Sequence, residues 1–202
     1  MAQTHGTTLL TTAADRTDMR TGLRIGAVLF MTALTAAAAQ VSIPLPFTPV
    51  PLTLQPMIVL LGGAALGSRL GMTSQVLYLL AGIAGLPVFA TSPVLPQGVL
   101  RLLGPTGGFL MAYPFAAFLT GWLAERGFDR RYVTSVAAMA AGLALIFACG
   151  IAWFAWFARP ESVGLPAALR LALYPFVAVD AFKILVAASV LPAVWKLTGR
   201  SL

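Results

Sequence analysis

Charge is scarce in this sequence. Only 9% of its 202 residues are Asp, Glu, Lys or Arg, against about 25% in a soluble globular domain. The acidic side is the thinner, with 6 Asp+Glu against 13 Lys+Arg. Hydrophobic residues reach 59%, more than a soluble domain of this size can hide, because a small domain leaves much of its surface in water. A water-soluble enzyme is therefore excluded. One Cys (Cys149) excludes an internal disulfide, and one His (His5) excludes a multi-His metal site. There is no P-loop, which excludes ATP hydrolysis by a Walker mechanism. Nor is there an intramembrane Ser/His pair, an HExxH or a carboxylate pair for proteolysis. The chain is not expected to be an enzyme, and no cofactor is expected.

What is present is a series of long uncharged runs. A helical crossing takes about 20 apolar residues, and the runs at about 25–43, 54–66, 70–86, 106–124, 132–158 and 171–197 give an all-α membrane protein with six transmembrane helices. Residues 1–21, rich in Thr and Ala, form an expected flexible cytoplasmic tail, and 22–202 a single membrane domain. No small-residue cleavage site marks a secretory signal. The second run is short for a crossing, and Pro44, Pro46, Pro49 and Pro51 precede it. Proline fixes φ and removes donors, so 44–51 is expected to be stiff, extended and non-helical. Irregular backbone at membrane depth is tolerated only where it is buried in protein or lines a cavity.

The positive surplus reads as topology. With the N-terminus inside, the inner segments hold Arg16, Arg20, Arg24, Arg69, Arg126, Arg130, Arg131, Lys196 and Arg200, and the outer loops only Arg101, Arg159 and Arg170. That asymmetry puts both termini in the cytoplasm of a multi-pass protein of the plasma (inner) membrane. It also leaves no support for a nucleic-acid partner. Trp122 and Trp195 fall near the inner boundary and Trp153 and Trp156 near the outer one, where tryptophans anchor a span; the outer two are also placed to cover a ligand.

Asp180 and Lys183 are the only charged residues well inside a run. Three apart, they share a helix face and can pair, and an unpaired charge at that depth costs on the order of 3 kcal/mol or more. Two readings stand: an ion pair locking two helices, or a pair presenting hydrogen-bond partners to a polar ligand. Asp accepts from N–H groups and Lys donates to oxygens, which suits a urea-like or amide-and-carboxylate ligand. Gly104-Pro105-Thr106-Gly107-Gly108 opens the fourth run, with Thr106 as an expected N-cap and Gly107 and Gly108 allowing close backbone approach. The segment 49–55, with Thr53 and Gln55, and the segment 86–90, with Phe89, supply stiff walls on the outer side. Tyr174 lies in the run that carries the charged pair and is counted with this outward-facing pocket. In the first run, Gly22/Gly26 and Ala33/Ala37 repeat small residues four apart. That spacing allows close helix approach, to an internal neighbour or to a separate membrane protein.

Taken in order, Pro49-Val50-Pro51-Leu52-Thr53-Leu54-Gln55, the run from Gly71 to Tyr78, Gly85-Leu86-Pro87-Val88-Phe89, Gly104-Pro105-Thr106-Gly107-Gly108 and Asp180-x-x-Lys183 resemble the BioY family. These are the biotin-binding S components of energy-coupling-factor (ECF) transporters, and the resemblance covers about residues 22–197. It implies a six-helix S-component fold, biotin held near the outer face, and a partnership with a transmembrane coupling protein and two cytoplasmic ATPase subunits. By the same resemblance Asp180 and Lys183 contact biotin, and Gln55 and the Gly104–Gly108 turn, with Thr106, Gly107 and Gly108, form the pocket; Thr53, Phe89 and Tyr174 are counted with it by position, and the small residues Gly26, Ala33 and Ala37 are expected to dock the coupling protein. An S component for another vitamin and a stand-alone carrier using Asp180 as a proton site are the competing readings.

Overall fold

The computed structural model describes residue 8 and residues 20–92, 96–159 and 162–197. Of the expected tail, all but Thr8, Arg20 and Thr21 lies outside the described residues. The helices in chain order are α1 (Arg20–Gln40), α2 (Gln55–Leu66), α3 (Ser68–Ile83), α4 (Val99–Leu103), α5 (Gly107–Ala124), α6 (Tyr132–Trp156), α7 (Leu165–Ala172) and α8 (Tyr174–Leu197). By length and composition, α1, α5, α6 and α8 can each cross a membrane. The second and third expected runs are the shorter helices α2 and α3. Two stretches read from the sequence as loops contain short helices, α4 and α7: α7 packs inward through the buried Ala168 and Ala172, and α4 turns Arg101 inward while Val99, Leu100 and Leu103 stay exposed.

The Pro-rich stretch is non-helical, as proline dictates, and is bracketed by a two-stranded antiparallel hairpin. β1 (Ser42–Ile43) pairs with β2 (Leu52–Thr53) in the register Ser42↔Thr53 and Ile43↔Leu52. α2 follows at once, with Pro56 in its first turn, where the missing N–H costs nothing. Gly67 alone separates α2 from α3. Its φ of 87° is the left-handed conformation that favours glycine. The exposed N–H groups that begin α3 are met from another helix: Glu125, just past the end of α5, accepts from the Ser68 N–H at 2.7 Å and the Ser68 hydroxyl at 2.9 Å. A carboxylate at that end also complements the helix dipole.

α5 is the central helix, packed against α2, α3 and α6. Glycines let it approach them closely. A Cβ at Gly121 would lie 2.5 Å from the backbone at Gly67–Ser68, and one at Gly63 would lie 2.4 Å from the Ala117 carbonyl oxygen. Backbone cannot yield as a side-chain tip can, so Gly121→Ala should lower the melting temperature by about 5 °C or more, on the order expected for overpacking a core. Gly26→Ala, in open space, should leave it unchanged; a thermal melt of the two variants in detergent checks both. Trp195 departs from the interfacial role expected for it. It is 1% exposed, donates its indole N–H to the Asp129 carboxylate at 2.7 Å and carries the Arg130 guanidinium 3.9 Å above its ring. Burial raises the pKa of Asp129 and the Trp195 bond opposes that rise. Trp122 keeps an interfacial character, exposed and stacked under Arg126.

Candidate functional site

The residues that converge in space do so at the end of the bundle that carries the hairpin. There a cavity opens, with about 620 Å³ of atom-free space when the solvent at its mouth is counted. The β2–α2 segment supplies Val50, Pro51, Leu52, Thr53, Gln55 and Pro56. The first two turns of α5 supply Thr106, Phe109, Leu110 and Tyr113, and α6 supplies Leu143, Ile146 and Phe147. Ala172, Phe176 and Asp180 close it from the C-terminal helices, Ala90 from the loop after α3, and Arg101 from α4. The lining is mostly apolar and aromatic, and its charged members are one acid, Asp180, and one base, Arg101.

Asp180 is held rather than loose. Lys183, one turn along α8, donates to Asp180 Oδ1 at 2.7 Å and to the Thr53 carbonyl at 2.6 Å. The ammonium thus ties three things together: its own helix, the cavity acid and the hairpin strand 130 residues away. Both partners are buried, so the pair meets the requirement that charges taken out of water be paired and hydrogen-bonded. Gln55, buried in the first turn of α2, donates its side-chain N–H to the Tyr78 hydroxyl at 2.7 Å, and Tyr78 donates onward to the Val88 carbonyl at 3.1 Å. Arg101, 1% exposed, donates to the Ala90 carbonyl at 2.8 Å.

Thr106 occupies the N-cap position of α5, but its side chain makes no capping bond. The hydroxyl is instead buried without a hydrogen-bond partner at the cavity wall. A buried polar atom without a hydrogen bond is costly, and among the described residues no group offers this hydroxyl one. Pro114 lacks the N–H that would bond the Leu110 carbonyl, and Leu110 is also a wall residue.

The residues expected at the pocket therefore divide. Asp180, Gln55, Thr53 and Thr106 line the cavity, and Lys183 sits directly behind Asp180. Phe89 is buried beside the cavity, edge-on to Tyr78 at 5.6 Å between ring centroids, but is not part of the wall. Gly107 and Gly108 serve close packing: a Cβ at the first would meet the Leu102 carbonyl and at the second Trp153. Tyr174 is 65% exposed and outside the wall. Trp153 does not cover the cavity; it braces the Gly104 turn, donating to its carbonyl at 3.0 Å. The aromatic wall residues of α5 and α6 carry no signal in the sequence. Arg101, the sole basic residue in the segment between α3 and α5, reads there as an outer-loop cation and as an alternative ligand contact beside Gln55 and Thr106, and it belongs to the wall.

The BioY family model matches residues 11–200. The chain belongs to the BioY family. Among individual relatives, it is 39% identical to the probable biotin transporter BioY of Pyrococcus horikoshii, over 79% of this chain and 88% of that one. It is 37% identical to the biotin transporter BioY of Thermotoga maritima, over 78% and 86%. The fold matches the crystal structure of an S component for biotin from an ECF-type ABC transporter with a TM-score of 0.78, at 24% identity, covering 89% of this chain and 94% of that one. Membership of BioY makes this a multi-pass membrane transport protein and not an enzyme.

Proposed function

We propose that the chain is the biotin-capturing S component of an ECF-type transporter, carrying biotin as its transported ligand and using no cofactor. The observation that carries this reading is the cavity lining: one acid and one base in an otherwise apolar and aromatic wall. Biotin has matching parts, a ureido group with N–H donors, an apolar thioether ring and chain, and a carboxylate. Asp180 accepts from the ureido N–H groups and Arg101 meets the carboxylate, while Gln55, Thr53 and the Thr106 hydroxyl supply further polar contacts. Lys183 fixes the orientation of Asp180 from behind. Phe89, Gly107, Gly108 and Tyr174 shape the site or its surroundings without lining it. Names borne by the relatives point to the same ligand. Calorimetric titration of the purified protein with biotin, riboflavin and thiamine tests it. One tight biotin site per chain is expected; saturation by another vitamin with no response to biotin would assign the pocket elsewhere, and uptake following a proton gradient without any ATPase would favour the stand-alone carrier.

Six crossings complete the architecture in this reading: α1, α5, α6 and α8 with α2 and α3, the twelve-residue α2 being extended by the hairpin. Both termini face the cytoplasm of the plasma membrane and the cavity opens outward. Arg131→Cys and Ser162→Cys, both at exposed positions, should separate cleanly. The first should resist an impermeant thiol reagent in intact cells and the second should react; the reverse pattern would invert the topology.

The energising module, a coupling protein with two cytoplasmic ATPase subunits, docks on α1. That helix packs inward through Val28, Met31, Thr35, Ala38 and Ala39, all buried, while Ala33 and Ala37 are exposed and a Cβ added at Gly26 would point into open space. Small residues turned toward lipid leave room for a close helix approach that internal packing does not use. Ala37→Leu should reduce co-purification with the coupling protein severalfold while leaving biotin binding and the melting temperature unchanged.

A further inference from the structure

Residues 87–91 leave α3 and pass beside the cavity without belonging to a helix or strand. Their carbonyls nevertheless take their partners alternately from two sides. On one side the even-numbered residues are held by the site itself: the Val88 carbonyl accepts from Tyr78, which in turn accepts from the wall residue Gln55, and the Ala90 carbonyl accepts from the wall residue Arg101. On the other side the odd-numbered residues are all held by a single side chain. Gln40, the last residue of α1, presents its amide nitrogen to the Pro87 and Phe89 carbonyls, each at 3.3 Å, and its amide oxygen accepts from the Thr91 hydroxyl at 3.1 Å. The same nitrogen also reaches the Ala36 carbonyl of its own helix at 3.3 Å. A primary amide combines two N–H donors and a carbonyl acceptor in one neutral group.

We propose that Gln40 is a positioning residue for the ligand site: it clasps residues 87–91 from outside, and thereby holds Ala90 and its partner Arg101 in the cavity wall and sets how long a ligand stays. Gln40 touches no part of the cavity itself, so it acts through the segment. It also completes the exposed stripe of α1, since Ala33, Ala37 and Gln40 follow one another at helical spacing on one face. The face read above as a docking surface therefore ends on the side chain that fastens the cavity wall. The inference rests on the ligand reading given above, and its test has an arm that does not.

Gln40→Glu keeps the shape of the side chain and its acceptor for Thr91 but replaces the amide donor with a second oxygen facing the Ala36, Pro87 and Phe89 carbonyl oxygens. Biotin dissociation from this variant in detergent or nanodiscs should speed up by about three- to tenfold, the effect of one or two hydrogen bonds, with the association rate changed less and the melting temperature unchanged. Gln40→Ala should behave alike, and Thr91→Val, which removes only the accepted bond, should have the smaller effect. Backbone amide exchange at Val88, Phe89, Ala90 and Thr91 in the ligand-free protein should accelerate in Gln40→Glu. Native dissociation in both Gln40 variants would overturn the proposal. If the unsubstituted protein takes no biotin, it is the ligand reading that fails, and unchanged exchange in Gln40→Glu would then overturn the clasp independently.

Discussion

Asp180→Asn combined with Lys183→Met should yield a protein that folds and binds biotin at least about tenfold more weakly. Each single change leaves one charge of a buried pair without its partner, which typically costs about 3–5 kcal/mol, so each single variant should melt early. Joining the two removes the orphan charge and restores most of that loss. The restoration is incomplete for a reason visible in the geometry. Lys183 also donates to the Thr53 carbonyl at 2.6 Å, and no methionine replaces that bond to the hairpin. Binding follows a different rule, because the neutral double variant no longer offers a carboxylate to N–H donors. Charge-assisted hydrogen bonds contribute about 1.5–3 kcal/mol each, a factor of roughly ten to a hundred and fifty in affinity. Thermal melts beside biotin titrations on all three variants decide the matter. A stable double variant with native affinity would make the pair a purely structural lock and move the ligand's N–H groups away from α8.

Arg101→Gln should cost about as much in affinity, and its signature lies in a comparison of ligands. If the guanidinium meets the carboxylate, the unsubstituted protein should prefer biotin over its uncharged primary amide by tenfold or more, and Arg101→Gln should lose most of that preference. The variant also loses the fixed fork of donors that holds the Ala90 carbonyl. Some affinity is therefore lost for both ligands, and only the ratio reports on the carboxylate. An undiminished ratio would leave Arg101 as a brace of the cavity wall and place the carboxylate elsewhere. Titration of both ligands into both proteins gives the four affinities needed.

The helices were legible because bilayer depth imposes a length and an apolar composition that no other class of chain shares. The fourth run was expected at 106–124 and α5 spans Gly107–Ala124; the charged loop 125–131 separates it from α6 as its composition requires. The proline rule also held for 44–51, but β1 and β2 are too short for strand periodicity to reveal them. Charged residues inside a run stand out, and Asp180 and Lys183 announced themselves for that reason. Arg101 stood out less, because a cation in a loop is normally solvated and nothing local distinguishes one folded back into a cavity. Phe109, Tyr113 and Phe147 were silent: an aromatic residue on a membrane helix has the same local pattern whether it meets lipid, a neighbour or a cavity. Thr106 had the local grammar of a cap, and only its surroundings show a hydroxyl with no partner.

The Lys183–Thr53 contact has a bearing on how the protein is made. The cavity draws its wall from Val50 through Asp180, and its acid is fastened to the hairpin across 130 residues of chain. Synthesis runs from the N-terminus at about 5–20 residues per second. For several seconds after the hairpin and α2 have emerged, the Thr53 carbonyl and the polar groups of Gln55 therefore wait for a helix that does not yet exist. Long-range contacts of this kind reward the chain only after the intervening loop has closed. A chain that ends before Asp180 lacks the cavity's acid and the lysine that fastens it to the hairpin, so the wall is completed only when the first turns of the last helix are made.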